Sequence, residues 1–515
     1  MDRKWWTLIT VCVATFMLLL DITVVNVALP SIQESLDASF SDLQWVVDAY
    51  SLTLAAFLLT AGVLGDMYGR RGVFAFGLGI FSASSLLCGL SADPLMLNLA
   101  RAAQGVGGAV MFATSLALIA QAFQGKERGT AFGIYGATIG GAVAIGPLLG
   151  GAITSSIGWR WIFFINVPIG IAAIVLTLVV ISESRDPAKR RVDIVGFVSF
   201  SAALFMLVFA LVRGNDAGWT SGQIIGLFSG AAALLVVFLL AEWRGSDPML
   251  DIALFKRPAM VGVSVATFAI AASIFAMFLY LTLYIQDDLG YSPFQAGLRF
   301  LPISVVSFFV APIAGRLLDK IQARYLMGAG LLLVAIGCAL MTRTTPTSSW
   351  TVLIPGLLVC GIGIGTANPV IASASVSVVP HERSGMASGS SNTFRQVGIA
   401  TGIAGLGAIF QHQIRSSVQT ALLSTSAGRA AAADHHSALV SAFSSGQVHQ
   451  AVAHFSAAQQ AAVLGAYRTG FSHTLNDLMW IGAGVALVGA LAAVLLVRQR
   501  DFVTSGGPPP AAAAG

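Results

Sequence analysis

Charged side chains are scarce in this sequence. Lys, Arg, Asp and Glu make up only 10% of its 515 residues, against about 25% in a typical soluble domain. So little charge cannot coat a water-soluble body of this size, and a bilayer is the solvent that suits it. Cysteine is almost absent too. Cys12, Cys88, Cys338 and Cys360 each lie inside an apolar run, which argues against a disulfide scaffold or a Cys-rich metal site. No Gly-x4-Gly-Lys-Ser/Thr motif occurs, so the chain carries no phosphate loop for driving work with ATP. Nucleophile–base and metal-ligand spacings are missing as well. An enzyme is therefore not expected, nor is a cofactor. The formal net charge is +5, but the basic residues are spread through short loops and offer no patch for nucleic acid.

What the chain has in abundance is apolar length. Hydrophobic residues make up 56% of it, gathered into segments at roughly 6–30, 45–65, 72–91, 95–122, 131–156, 161–182, 192–213, 221–243, 259–286, 294–317, 325–342, 350–379, 387–411 and 476–497. Each is long enough to cross a bilayer, which takes about 20 residues. Helix is the form expected, because lipid offers no partner to free backbone groups. The start of the chain is basic and then apolar, like a signal peptide. It continues past Asp21 to Pro30 without a small-residue cleavage pattern, so it is expected to stay as the first helix.

Fourteen spans put both termini on one side. Of the 28 Lys and Arg, six (Arg160, Arg213, Arg343, Arg415, Arg429, Arg468) fall on the opposite side and three (Arg101, Arg299, Arg395) within spans. The remaining nineteen share the side of the termini, which the positive-inside bias assigns to the cytoplasm. One external segment, about 413–473, is long and rich in Ala, Ser, Gln and His. Within it, 451–467 has the pattern of an amphipathic surface helix. His435, His436, His449 and His454 are its possible metal ligands, although ordinary solvated-loop composition explains them better. The tail 504–515, with its Gly-Gly-Pro-Pro-Pro, is expected to be disordered.

An internal repeat fixes the expected architecture. Gly62-x-Leu64-x-Asp66 with Arg71 returns as Gly315-x-Leu317-x-Asp319 with Arg324, each position shifted by 253. Glu127-Arg128 returns as Glu382-Arg383, shifted by 255. In span order the shift is eight, not six. Six helices, two inserted and six more account for it: a bundle over 1–183, an insert over 184–247, and a second bundle over 248–515. The two copies face the same side, as the halves of a transporter related by an axis along the membrane normal do.

Five stretches carry a family likeness: LDITVVNVALP at 20–30, GVLGDMYGRR at 62–71, LNLARAAQGVGG at 97–108, GPLLGG at 146–151 and WRWIFFINVP at 159–168. Weaker likeness continues through Tyr291-Ser292-Pro293, Ala387-Ser388-Gly389 and Arg395-Gln396-Val397-Gly398. Together they resemble the fourteen-span drug:proton antiporter family of the major facilitator superfamily. The resemblance implies an all-α integral membrane protein of 6+2+6 helices, and proton-coupled efflux of small amphipathic drugs or antibiotics by alternating access. It places the chain as a multi-pass protein of the cell inner (plasma) membrane, with protons, a small-molecule substrate and lipid as partners. Two departures stand out: Ala142 where the family's helix 5 usually has Gly, and Gln322 where the first half has Gly69. The second suggests a lesser gating role for the second-half loop.

Candidate residues fall into three groups. Asp21 lies deep in the first span, where an ionisable group marks a functional site by default, and it is the expected proton-coupling carboxylate. Arg101 is its natural partner and Asp48 a second acid at similar depth, so the three can exchange partners as protons arrive. Two acids here favour cationic or neutral cargo. Gly62, Gly65, Asp66, Gly69, Arg70 and Arg71 form a loop that the resemblance casts as the gate. Asp66 is suited to a basic side chain or a helix N-terminus. Gly146, Pro147, Gly150 and Gly151 thin and kink the fifth span, and the resemblance marks them as the antiporter motif. The aromatic run Phe275, Met277, Phe278, Tyr280 and Tyr284 suits a permissive pocket or a lipid face equally. Gly361-x-Gly363-x-Gly365 sits inside an apolar span and reads as helix packing, not nucleotide binding. Export of one endogenous metabolite, and a non-transporting receptor on the same scaffold, are the competing readings.

Overall fold

A computed structural model describes residues 2–38, 40–125, 127–184, 193–245, 250, 252–431, 452 and 455–502. Among them there is no strand. The helices are α1 (Arg3–Leu36), α2 (Phe40–Tyr68), α3 (Arg70–Gly89), α4 (Pro94–Ala122), α5 (Glu127–Ser156), α6 (Trp161–Phe164), α7 (Asn166–Val180), α8 (Ile194–Ala217) and α9 (Gly222–Arg244). They continue as α10 (Pro258–Ile270), α11 (Ala276–Leu283), α12 (Pro293–Leu317), α13 (Ala323–Leu340), α14 (Ile354–Ser377), α15 (Ser384–Leu423) and α16 (Ala457–Leu496). Wider π turns at Ala271–Phe275 and Tyr284–Asp288 bracket α11, so the expected ninth span is one irregular rod. Local chemistry sets several ends. Pro94 opens α4 behind Asp93, whose side chain accepts from the Met96 N–H at 2.9 Å. Ser292 with Gln295, and Ser456 with Gln459, close capping boxes at the starts of α12 and α16.

Thirteen of the described helices are long and apolar enough to cross a membrane. The 30-residue α5 is not in that set. Buried apolar side chains collect in two main masses. One is built from α1–α5 and α7, with Ala372 and Val376 of α14, around Leu18, Phe74, Phe81 and Phe132. The other is built from α10–α16, around Met277, Leu331, Leu357 and Phe471. The helix α8 lies across the seam, with Leu204 and Val208 packed on Leu52 and Ala55 of α2 and near Val397 and Ala400 of α15. The outer face is apolar, with Trp243, Phe309 and Leu495 all exposed, as lipid-facing helices require.

The seam has a repeated form. Gly62 of α2 meets the backbone of Gly385 and Gly389 on α15, and Gly315 of α12 meets that of Gly129 and Gly133 on α5, with no room for a Cβ at either crossing. Gly62 and Gly315 are the matched glycines of the first sequence repeat, and their partners lie just beyond Glu127-Arg128 and Glu382-Arg383 of the second. Gly361 and Gly365 likewise seat α14 against the α12 backbone at Ile303 and Ser307, as packing residues. Met277, Tyr280 and Tyr284 are buried inside the second core, while Phe275 and Phe278 are half-buried against it. The lipid-face expectation therefore fails for Met277, Tyr280 and Tyr284, which are protein core.

The long external connection is shorter than expected. Both α15 and α16 run 40 residues, about 60 Å each at 1.5 Å per residue, well beyond a hydrocarbon core of about 30 Å. Residues 413–423 and 457–473 are thus helical extensions of spans. Their sequence is too polar to register as membrane-crossing, but 408–423 contains neither Gly nor Pro to stop the helix. Ile414, Val418 and Leu422, spaced four apart, are buried against Val463, Tyr467 and Phe471. Residues 432–451, His454 and the tail from 503 onward lie outside the described residues, so the four histidines and the 504–515 expectation have no structural counterpart here. Among the described residues no cluster could hold a metal ion.

The hairpin made by α15 and α16 depends on Gly470, where an added Cβ would stand 2.5 Å from Val418 Cγ2. Gly470→Val is expected to cost about 1–3 kcal/mol, seen as a lower unfolding temperature in detergent. Gly465→Ala, which faces open space, serves as the unaffected control; equal behaviour of the two would contradict this packing.

Candidate functional site

The structure joins Asp21 and Arg101. Asp21 sits mid-way along α1 and Arg101 in the second turn of α4, and they are 3% and 1% exposed. Arg101 Nη1 pairs directly with Asp21 Oδ2. Three more polar side chains complete the arrangement. Gln104, one turn along α4 and so on the same face, donates from Nε2 to Asp21 Oδ1 at 3.0 Å and accepts from Arg101 Nη1 at 2.7 Å. Asn166, the first residue of α7, donates to Asp21 Oδ1 at 3.2 Å and to Ser85 Oγ at 3.0 Å. Ser85 of α3 donates to the Phe163 carbonyl at 2.9 Å. Arg101 Nε reaches the Val46 carbonyl of α2 at 3.0 Å, and the guanidinium lies over the Tyr50 ring, 4.2 Å from its centroid. Side chains of α4 and α7 bond the carboxylate directly, and groups of α2 and α3 hold those side chains in turn.

Two charges this deep are tolerated only with near-complete hydrogen bonding, because desolvating each ion costs several kcal/mol. The site meets that condition. It also stays poised: if Asp21 takes a proton, Gln104 Oε1 and the Val46 carbonyl still hold Arg101. Asp48 is half-buried on α2, two residues along from Val46, whose carbonyl accepts from Arg101 Nε. Sequence reasoning quoted Gln104 and Asn166 in motifs without assigning them this role, and missed Ser85. Gln and Asn inside apolar spans were the available signal.

The loop residues make a second site. Asp66, at the end of α2, accepts from Arg70 Nε at 2.9 Å and Nη2 at 2.8 Å. It also accepts from the backbone N–H groups of Gly385 at 3.0 Å and Met386 at 2.9 Å. Those are orphan donors at the N-terminus of α15, where a carboxylate is electrostatically favoured. Arg70 Nη2 donates in turn to the Glu382 carbonyl at 3.1 Å. The first half thus latches onto the second beside the Gly62–Gly385 crossing. Arg71 faces another way: its N–H and that of Gly72 donate to Glu183 at 3.0 and 3.1 Å, so Glu183 caps α3. Gly69 has φ +111 with its Cα against that carboxylate, a place for glycine alone. Gly65 packs on Thr114 of α4. In the second half Asp319 is exposed, and among the described residues no bond ties it to the N-terminus of α5, in keeping with the departure at Gln322.

The third group is mechanical. Gly146 and Gly150 let α5 close onto Thr23 and Val24 of α1, within two or three residues of Asp21. Gly151 is peripheral to that crossing, at ordinary contact distance from Val27. Ala142, at the departure from the family pattern, is fully buried. The side chain of Pro147 lies outside the described residues.

A two-core bundle of apolar helices, with a hydrogen-bonded ion pair buried in its first half and a carboxylate latch between its halves, defines a polytopic membrane transporter. Residues 11–403 match the Major Facilitator Superfamily, and the chain belongs to it, a family of transporters and not of enzymes. The chain is 38% identical over 405 residues to the multidrug resistance protein Stp of Mycobacterium tuberculosis, covering 78% of this chain and 75% of Stp. It is 37% identical to the puromycin resistance protein pur8 of Streptomyces alboniger (78% and 81% covered). To the probable actinorhodin transporter of Streptomyces coelicolor it is 34% identical (79% and 72%). Among solved structures, the proton:xylose symporter XylE superposes with a TM-score of 0.60 at 14% identity, covering 96% of each chain, which shows the shared fold.

Removing one partner of the ion pair leaves a buried unpaired charge. Asp21→Ala is expected to destabilise the protein by about 3–5 kcal/mol, and the apolar double variant Asp21→Leu/Arg101→Met to recover most of that loss. Thermal unfolding in detergent measures both. A single variant as stable as wild type would contradict the pairing.

Proposed function

We propose that this chain exports small, amphipathic drugs or antibiotics in exchange for protons, by alternating access between two six-helix bundles. In this reading α5 completes fourteen spans in a 6+2+6 layout, with α8 and α9 as the inserted pair over 184–247. Both termini face the cytoplasm, and the protein resides in the inner (plasma) membrane. The observation that carries the reading is the Asp21–Arg101 pair, an ionisable couple held at lipid depth by side chains from neighbouring helices. The resistance functions named for the similar proteins support the direction of transport.

The route from proton to gate runs through α1 and α5. A proton from outside neutralises Asp21, loosens its hold on Arg101, Gln104 and Asn166, and shifts α1. The shift reaches α5 where Gly146 and Gly150 grip Thr23 and Val24, and α5 in turn forms the seam with α12 at Gly129 and Gly315. On the other seam, Asp66 holds α15 to α2. Together these close the cytoplasmic end while cargo leaves outward. Loss of the proton to the cytoplasm restores the charge pair and the cargo-binding state. Asp48 is the accessory acid, and Asp66, Arg70 and Arg71 with their glycines are the gate. The proton gradient and membrane potential supply the energy.

In proteoliposomes carrying an internal pH probe, wild type is expected to move protons when substrate is added, and Asp21→Asn to lose that linkage. Coupling retained in Asp21→Asn would refute the assignment.

A second reading, dedicated export of one endogenous product, is favoured by a relative named as the transporter of a single compound, the probable actinorhodin transporter. A resistance panel in deletion and overexpression strains separates the two. Tolerance to several unrelated compounds is expected from multidrug export, and tolerance to one compound alone from the dedicated exporter.

A further inference from the structure

Arg395 is a second cation at lipid depth, and its surroundings differ from those of Arg101. It lies on α15, half-buried. Among the described residues its only side-chain hydrogen bonds are two long ones from Nη1 and Nη2 to the same atom, Asn368 Oδ1 of α14, at 3.3 and 3.4 Å. Its buried Nε has no partner. Among the described residues no carboxylate bears on it, and the one ionisable side chain that does is Tyr135 of α5. An arginine cannot shed its charge to escape such a place, so the charge stands there uncompensated.

The amide beside it is unsatisfied in the same sense. Asn368 Nδ2 is buried with no acceptor. The Tyr135 hydroxyl is buried beside the Thr15 and Ser115 hydroxyls. The residues that follow these two, Gly136 and Pro369, are in contact, so Tyr135 and Asn368 sit at one level where α5 of the first half meets α14 of the second. Two donors with no acceptor among the described residues, Arg395 Nε and Asn368 Nδ2, therefore gather at the depth of the Tyr135 hydroxyl, with both halves contributing. Beside them is an aromatic wall: the guanidinium lies 5.9 Å from the Phe275 ring centroid, Phe275 packs on Phe278 at 6.2 Å, and both rings are half-buried.

We propose that Arg395, Asn368 and Tyr135 form the anchoring subsite for cargo, and that the cargo is an aromatic compound carrying an anionic oxygen group, such as a carboxylate, sulfonate or phenolate. The oxygens meet the guanidinium and the two neutral donors, while the rings lie along Phe275 and Phe278. Donors from both halves let the same ligand bridge the bundles, and an unmatched positive charge selects against cations. This proposal departs from the expectation of cationic or neutral cargo, since the Asp21 charge is matched by Arg101. The claim that the ligand is cargo rests on the efflux reading; the anion site itself does not.

Fluorescence polarisation with purified protein in detergent, without any gradient, tests the site. The probes are carboxyfluorescein and anilinonaphthalene sulfonate as aromatic anions, and ethidium as an aromatic cation. At least one anionic dye is expected to bind wild type saturably. Arg395→Ala should weaken that binding at least about tenfold, about 1.4 kcal/mol, with Arg395→Lys intermediate and Tyr135→Phe weakened several-fold. Ethidium binding should not follow this order. Tyr135→Phe guards against misfolding of the Arg395 variants, since it removes one hydroxyl and no charge. Failure of both anionic dyes to bind wild type, or equal losses for ethidium and the anions, would overturn the site. Intact anion binding without proton-linked flux would count against the efflux reading alone.

Discussion

An ion pair buried in an apolar bundle is the constraint around which the rest of the molecule is arranged. Asp21 and Arg101 are stable at this depth only because Gln104, Asn166, Ser85 and the Val46 carbonyl complete their hydrogen bonds. Those groups come from α2, α3, α4 and α7, so the pair fixes how these helices sit around α1. In the proposed cycle the same economy makes the site responsive: a proton on Asp21 changes its acceptor capacity and alters its bonds to Arg101, Gln104 and Asn166 together.

The seam between the halves carries the other part of the design. Gly62 against Gly385 and Gly315 against Gly129 bring backbones to the distance at which no side chain fits. A seam of this kind is either fully closed or parted, with little in between. The Asp66 carboxylate adds direction: it seals one crossing by satisfying two backbone donors at the start of α15, while Asp319, its counterpart in the repeat, stands exposed. The two halves are built alike and fastened differently.

Much of this was legible in the sequence, for identifiable reasons. Spans declare themselves because lipid demands long apolar helices, and Asp21 and Arg101 declare themselves because charge is so rare in such runs. The repeat could be read because glycine at a backbone crossing has no substitute. Other features were hidden. The reach of α15 to Leu423 and the start of α16 at Ala457 were missed because Ala, Ser and Gln form helix in water as well as in lipid, and hydropathy sees only the lipid part. Glu183 gave no signal, since a cap is defined by what folds against it. Tyr280 and Tyr284 could not be assigned to core or lipid from one helix alone. Arg395 was visible as a charge in a span, but its lack of a carboxylate is a property of the neighbours that folding supplies.

The central claim is that Asp21 changes protonation as cargo is handled. Infrared difference spectroscopy on reconstituted protein observes this directly, through the stretching band of a protonated carboxyl group on acidification with and without cargo. The account predicts a band that responds to cargo in wild type and vanishes in Asp21→Asn. A spectrum without such a band, or one unchanged by the substitution, would contradict it.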